Sequence, residues 1–483
     1  MLRCLIVCAC VFVQAAITPE SVSPGPKSPF IPPNGDERTE LLQSIRTYMN
    51  QVPSTVTAHP SAKNFPGIVE SPARISRSIN YDANLIHRWD VTAGNAPNLA
   101  TSPEAWQDTG LYAAPGEVIT VTATALPKDR KVSIIIGCHR DSLLSLNKWS
   151  RFPVITRAFV LKVGENRIAN AFGGPLFIKV SSTAPTKGAI TPVEAGSPLQ
   201  FNQAVAAPVY TLGKDTAETW SSTRGAPAPW GTLIGKRIIL HVPSYLLREL
   251  PEPKELLEWW DKVLEVEDDL IALDRLAPER VVPDIQISAG FMHSGYPFMC
   301  QLKASARHIV DLARLKTEGD WGFFHELGHN HQRHDWTFPG QTEVTCNLFS
   351  LLCMEKIVGK PTGQGHGAMS DLEALMASRL ASPPDLGPFE QLAPFVVLIR
   401  AHGWEPLRST LRSYRTEPLP PADKTGKRSL GILQSEFVLR YGKYAKADVS
   451  AFFLSLGYQV SDDCQKVLKA YPTFVYETQA VTK

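Results

Sequence analysis

Residues 320–331 read Asp-Trp-Gly-Phe-Phe-His-Glu-Leu-Gly-His-Asn-His and contain a His-Glu-x-x-His pattern. His325 and His329 stand four positions apart, so on a helix both imidazoles leave the same face, about one turn apart, and can meet one ion. Asp320 suits the N-cap of such a helix, and the apolar residues between Asp320 and His329 suit its buried face. The stretch therefore predicts a buried helix that presents two imidazoles to one metal.

Glu326 follows the first imidazole, where its carboxylate can reach a water on the metal, which is the position of a general base. Two neutral imidazoles and one carboxylate form a three-ligand zinc site that keeps a place for water, whose pKa falls to about 7. The pattern therefore predicts one catalytic Zn²⁺ bound by His325, His329 and a third, downstream ligand.

Two residues compete for that third position. Asp335 lies six residues after His329, but peptidases with this spacing turn the chain at a Gly three residues after the second His, and here that residue is Gln332. Glu343 is better supported, because Glu343 and Asn347 start a polar stripe along a segment that is otherwise apolar. A buried carboxylate without a partner is costly, and a metal removes that cost. Asn347 is then expected to orient an imidazole or the carboxylate.

Other polar residues near the pattern have two interpretations. Tyr296 could donate a hydrogen bond to a tetrahedral oxyanion, or it could be a packed loop tyrosine. His331 and His334 could be extra metal ligands, but they are expected on the exposed end of the helix. Cys346 and Cys353 could also bind metal, but they are expected to be small core residues.

The N-terminal region predicts export. Arg3, the apolar residues 5–13 and the small residues near position 16 are typical of a signal peptide covering residues 1–16. The protein is therefore expected to be secreted, extracellular or periplasmic. Residues 17–36 are rich in proline and predict a flexible linker, and residues 37–89 are expected to contain a short helix over 40–50.

The remainder predicts an α+β multidomain fold. Short β-rich runs separated by turn residues favour an antiparallel β-sandwich over residues 90–209. Residues 210–340 alternate strand and helix signals, including a strand over 284–288, and form the predicted catalytic α/β subdomain with the metal-binding helix. Residues 341–483 are helical in pattern and are expected to carry the third ligand. The oligomeric state is left open.

Composition excludes several classes of function. The 49 basic and 47 acidic residues are scattered along the chain, without the basic run that nucleic-acid binding requires. After the signal, no stretch has 18 consecutive apolar residues, so no transmembrane segment is expected in the mature chain. Five cysteines remain there, an odd number that argues against a disulfide scaffold.

The motif residues resemble those of a known family. Residues 325–330, followed by Glu343, Val344 and Asn347, resemble the enhancin-like, mucin-degrading zinc metallopeptidases of peptidase family M60. Three further segments look similar to the family: 106–112 with 115–117, 293–297 and 448–458. The resemblance covers roughly residues 90–460.

The resemblance implies a gluzincin-type, zincin-like catalytic domain, zinc at His325, His329 and Glu343, and catalysis by Glu326. It also implies a preference for O-glycosylated, mucin-like proteins. Some members of the family are catalytically degenerate and act as membrane-channel partners, whereas this chain keeps every motif residue. Two alternatives stay open: a glycan-binding or adhesion protein with a structural metal, and a peptidase of unglycosylated proteins.

Overall fold

The computed structural model describes residues 17–89, 103–183, 192–194, 196–381, 385–417, 419 and 428–477. The predicted signal peptide, residues 1–16, lies outside these ranges. Along the described chain, a β-rich N-terminal part is followed by a mixed α/β part and then by a mainly helical part. The predicted α+β fold class is therefore confirmed.

The strands and helices of the described chain are largely segregated along the sequence. The strands are β1 Ile75–Ile79, β2 Trp106–Ala113, β3 Ile119–Ala123, β4 Arg130–Ile136, β5 Arg157–Val160, β6 Gly164–Ile168, β7 Gly174–Ser182, β8 Leu199–Ala206, β9 Val209–Thr211, β10 Trp230–Ile234, β11 Ile238–Pro243, β12 Glu279–Asp284, β13 Met292–His293 and β14 Phe298–Gln301. The helices are α1 Gly35–Met49, α2 Ala217–Thr223, α3 Ser244–Leu247, α4 Lys254–Ile271, α5 Leu302–Ser305, α6 Leu312–Glu318, α7 Trp321–His329, α8 Thr342–Lys356, α9 Leu372–Ala381, α10 Pro388–His402, α11 Glu405–Ser413, α12 Leu430–Ala445, α13 Ser450–Ser455 and α14 Asp462–Leu468.

The N-terminal sheet is antiparallel and folds over its own core. Its strands lie in the order β5-β4-β7-β2-β8-β3-β6, with β1 beside β8. Only two residue pairs join β2 to β8, whereas seven join β4 to β7. Apolar side chains from both halves of the sheet meet in one core, including Ile134, Ile178 and Phe201. The two halves therefore stack as a sandwich.

The second sheet is mixed and is covered on both faces. Its order is β13-β14-β12-β11-β10-β9, with β12 parallel to both β11 and β14. Val281 of β12 lies in a core with side chains of α4 and α7, whereas its neighbour Val282 packs with Trp106 and Phe177 of the sandwich. Because successive side chains of a strand point to opposite faces, the sheet separates the helices from the sandwich.

The helical part surrounds α8. Eleven of its fifteen residues are buried, and they face two cores, because Leu348 and Leu352 pack with α10 and α12 while Cys353 and Met354 pack with α4 and α7. A helix enclosed in this way has little room for unpaired polar groups. The polar side chains of α8 therefore need partners: Glu343 and Asn347 meet His325 of α7, whereas Thr345 pairs with Gln332.

The five cysteines beyond residue 16 form no disulfide among the described residues, because all five are free and buried. Burial raises the pKa of several of their thiols, including Cys300 and Cys353.

Residues 17–36 are not the flexible linker that their proline content predicts. Val22 is fully buried in a core with Leu41 and Ile45 of α1. Phe30 pairs with Trp149 through two backbone hydrogen bonds and a ring stack of 5.5 Å. The apolar residues between the prolines therefore anchor the segment to the sandwich.

The predicted strand over 284–288 is also wrong, because β12 runs from Glu279 to Asp284. Its charged residues Glu279 and Arg280 are fully buried, each beside oppositely charged groups. Buried strands are usually recognised in a sequence by a run of apolar residues. The charged residues at the start of β12 interrupt such a run, so the sequence placed the strand downstream, over 284–288.

Candidate metal centre

Helix α7 holds the two histidines at the edge of the core that it shares with α4. Three of its apolar residues are fully buried: Phe323, Phe324 and Leu327. Asp320 caps the helix by accepting a hydrogen bond from the Phe323 amide at 3.4 Å. The side chains of His325 and His329 keep 19% and 11% of their surface exposed. Both imidazoles are therefore packed yet reachable from solvent.

Helices α7 and α8 approach closely because α7 contains a glycine at their contact. A Cβ added to Gly328 would lie 2.6 Å from the carbonyl oxygen of Cys346 and 3.0 Å from the Cβ of Phe349. Only a residue without a side chain allows this separation. The approach brings Glu343, in the first turn of α8, to the two imidazoles.

Three side-chain atoms form a compact triangle. Glu343 Oε2 lies 3.1 Å from His325 Nε2 and 3.5 Å from His329 Nε2, and the two Nε2 atoms are 3.1 Å apart. Ligand atoms about 2.0–2.1 Å from a tetrahedral ion would stand roughly 3.3–3.4 Å from one another. The three groups therefore have the chemistry and the spacing to bind one such ion.

Cys346 lies beside this triangle. Its sulfur is 3.4 Å from His325 Nδ1 and 3.8 Å from His325 Nε2. Burial raises the pKa of the thiol well above its usual value. Cys346 is buried in the interior of α8 and lies close enough to the triangle to join a ligand group.

The amide of Asn347 orients the first imidazole. Its Oδ1 lies 2.7 Å from His325 Nδ1 and accepts a hydrogen bond from the Trp321 indole at 3.0 Å, and its Nδ2 donates to the Glu343 carbonyl. Since Nδ1 must then be the protonated nitrogen, Nε2 of His325 is free to act as a ligand.

Gln332 orients the second imidazole, that of His329. The sequence did not predict this role. Its Oε1 lies 2.8 Å from His329 Nδ1, and its Nε2 donates to the Thr342 carbonyl and the Thr345 hydroxyl. Gln332 thus links His329 to the start of α8. A Gln three residues after a ligand histidine is the signal that could have identified it.

The two carboxyl groups of the centre have opposite pKa shifts. The hydrogen bonds with His325 and His329 hold the pKa of Glu343 well below its usual range. Burial raises the pKa of half-buried Glu326, although the nearby imidazoles act in the other direction. Glu343 is therefore ionised, as a ligand must be, while Glu326 is the more basic carboxylate and suits proton transfer.

Residues 203–457 match the family described as peptidase M60, enhancin and enhancin-like, and residues 83–193 match the N-terminal domain of M60-like peptidases. The chain belongs to the M60 peptidase family. It is also 36% identical over 401 residues to TRPM8 channel-associated factor 2 of Bos taurus, and 34% identical over 384 residues to the factor of the same name from Homo sapiens. These alignments cover 80% and 76% of the chain but only 41% and 40% of the relatives, so the chain spans about two fifths of their length.

Solved structures share the M60 fold. The ZmpB metallopeptidase of Clostridium perfringens superposes with a TM-score of 0.61 at 17% identity, covering 83% of this chain and 81% of that one. The IMPa metallopeptidase of Pseudomonas aeruginosa gives a TM-score of 0.59 at 14% identity, covering 86% of this chain and 53% of that one.

Among the described residues, no helix has both the length and the apolar character needed to cross a bilayer.

Two residues considered near the M60 motif have other contacts. Asp335, the competing third ligand, pairs with Arg333 at 2.8 Å. Tyr296 is buried, and its hydroxyl accepts hydrogen bonds from the Trp106 amide at 3.1 Å and from Arg280 at 3.2 Å. Its burial and these contacts favour the packing interpretation of Tyr296.

The expectation that His331 lies on the exposed end of the helix is wrong. His331 is fully buried, with Nε2 2.9 Å from Asp268 and 3.2 Å from Arg275. Helix α7 ends at His329, and the turn that follows carries the side chain of His331 towards α4. His334 is exposed, as expected.

Proposed function

We propose that this M60 protein is a secreted zinc metalloendopeptidase that hydrolyses peptide bonds in O-glycosylated, mucin-like proteins. The observation that carries the proposal is the triangle of His325, His329 and Glu343, whose atoms stand 3.1–3.5 Å apart next to Glu326. The side chain of Glu343 is 63% exposed, so the centre is open on one side. An open three-ligand centre is typical of catalytic rather than structural zinc.

In this proposal His325, His329 and Glu343 bind the ion, which supplies Lewis acidity when bound. Glu326 accepts a proton from the attacking water and later returns it to the leaving amine. Its raised pKa brings the carboxyl closer to the range where both transfers are efficient. Asn347 and Gln332 hold the two imidazoles in the tautomer and orientation that binding requires.

The substrate class and the export are supported less directly. The catalytic domain of ZmpC from Clostridium perfringens, which superposes with a TM-score of 0.58, is described in complex with the sialyl T antigen. That glycan ligand of a structural neighbour motivates the O-glycosylated substrate proposed here. Secretion is inferred from the signal-like residues 1–16.

The test is digestion of an O-glycosylated protein by wild type, Glu326→Gln and Glu343→Ala, with metal analysis of each. Glu326→Gln should keep zinc and lose about 10²- to 10⁴-fold in kcat, because only the proton acceptor is removed. Glu343→Ala should lose the metal. Turnover by Glu326→Gln at the wild-type rate would refute the mechanism. Equal cleavage of the substrate before and after deglycosylation would instead support a peptidase of unglycosylated proteins.

A second candidate is a non-catalytic binding protein with a structural metal. It is favoured by the name of the vertebrate relatives, TRPM8 channel-associated factor, which describes an association rather than a reaction. Chelation separates the two proposals. If wild type never cleaves protein and removal of the metal only unfolds it, the binding role is the better description.

A further inference from the structure

Residues 292–297, which we call the cleft wall, lie against helix α7, which carries His325 and His329. β13 is an edge strand beside β14, and a Cβ added to Gly322 of α7 would lie 3.3 Å from the sulfur of Met292. Gly322 and Glu326 are one helical turn apart on α7. His293 is the next residue of the strand.

The sandwich holds this wall at three points. Asp141 Oδ2 lies 2.8 Å from His293 Nε2 and also accepts a hydrogen bond from the Ser288 amide at 2.6 Å. Arg140 donates to the Tyr296 carbonyl at 2.9 Å. The Trp106 amide donates to the Tyr296 hydroxyl. All three holding residues lie within the region that matches the M60-like N-terminal domain.

Helix α7 holds the wall from the other side. The Asn330 side chain accepts a hydrogen bond from the Gly295 amide at 3.0 Å and donates to the Gly295 carbonyl at 3.1 Å. Gly295 has a φ of +118°, which a residue with a side chain rarely adopts. Because Asn330 follows the ligand His329, the same helix end fixes both the metal centre and the wall.

The contacts of His293 define its charge. Its Nε2 faces the Asp141 carboxylate and its Nδ1 faces the Ser294 carbonyl at 2.9 Å. Two acceptors require two N–H donors, so the imidazole is the cationic form. The Asp141–His293 contact is therefore a charge-assisted hydrogen bond between the sandwich and the cleft wall, and such bonds are stronger than neutral ones.

We propose that the sandwich is a working part of the catalytic unit, and that Asp141 is a positioning residue that fixes residues 292–297 for substrate binding. The inference rests on the proposed peptidase function. The side-chain hydrogen bonds of Asp141 go to His293 and Ser288, not to the triangle of His325, His329 and Glu343 or to Glu326. Its loss should therefore affect the positioning of the substrate more than the proton transfers.

The experiment compares zinc-loaded wild type with Asp141→Ala, Asp141→Asn and a matched control, Glu117→Gln. Glu117 is a sandwich carboxylate that accepts two hydrogen bonds from Arg74 at 2.6 Å and lies in a different part of the domain. Asp141→Ala should raise KM about ten- to hundredfold and change kcat less than threefold. Asp141→Asn keeps an acceptor for His293 and should recover most of that loss. Glu117→Gln should match wild type.

Hydrogen exchange of residues 291–301 gives a readout that does not need turnover. Exchange should be faster in Asp141→Ala than in wild type and unchanged in Glu117→Gln. Wild-type KM and wild-type exchange in Asp141→Ala would overturn the inference. If wild type binds zinc but cleaves no substrate, while exchange still rises only in Asp141→Ala, the coupling is supported and the peptidase proposal fails.

Discussion

Replacing Asn347 by leucine tests whether the second layer of contacts controls metal binding. Leucine has the branched shape and the number of side-chain heavy atoms of asparagine, but its methyl groups are larger and cannot form hydrogen bonds. The change removes the acceptor of the His325 Nδ1–H at 2.7 Å and of the Trp321 indole at 3.0 Å. Asn347 is only 2% exposed, so water cannot easily replace the lost oxygen.

The expected loss follows from these contacts. Leaving a buried donor unsatisfied costs about 1–3 kcal/mol, and part of this cost falls on the tautomer of His325 that binds metal. Each 1.4 kcal/mol is about a tenfold change in affinity. Asn347→Leu should therefore weaken zinc binding about 10- to 100-fold, in line with the effect of other outer-shell partners of metal-binding histidines.

The assay is competition with a chromophoric chelator of known zinc affinity. Ser350→Ala is the matched control, because Ser350 lies one turn further along α8, is equally buried, and contacts only the Trp321 carbonyl at 3.5 Å. The control should bind zinc within about twofold of wild type. Equal affinities for Asn347→Leu and Ser350→Ala would show that the amide does not orient the imidazole, and would refute the reasoning.

Two further predictions concern stability. Gly328→Ala should lower the free energy of unfolding by about 1–3 kcal/mol in urea, because its Cβ would lie 2.6 Å from the Cys346 carbonyl; Gly225→Ala, which has open space, should stay within about 0.5 kcal/mol of wild type. Burial lowers the pKa of His241 well below 6.5. Below about pH 6.5 the unfolded imidazole then binds a proton that the folded one does not, so stability should fall by up to about 1.4 kcal/mol per pH unit for this residue. His241→Gln should show a shallower fall between pH 7 and 5, and an unchanged slope would contradict the assignment.

The close arrangement of His325, His329 and Glu343 could be predicted because its determinants are local. The spacing of His325 and His329 fixes their shared face on any helix. Glu343 and Asn347 were predicted from a polar stripe on an apolar helix, and that periodicity is also a local property. The one step that needed tertiary structure was the meeting of α7 and α8. The expected cost of burying Glu343 pointed to that meeting, although 63% of its side chain is exposed.

The contacts that the sequence did not predict depend on partners far along the chain. In the sequence, Gln332 was noted only because it stands where some peptidases have a glycine. Its role depends on the docking of α8, which brings Thr342 and Thr345 to positions where they accept its amide hydrogens. His331 is buried against Asp268, which lies 63 residues upstream in the sequence. No pattern within α7 indicates either partner.

The strand β12 shows why the sandwich and the catalytic part are expected to act together. Glu279 and Arg280 are adjacent and fully buried, and they point to opposite faces of the sheet. Arg275 pairs with Glu279 at 2.7 Å on the helical side, whereas Arg280 pairs with Asp108 of the sandwich at 2.7 Å. Separation of the sandwich would break the Arg280–Asp108 pair and expose Val282, which packs with Trp106 and Phe177. Docking of the sandwich therefore stabilises β12.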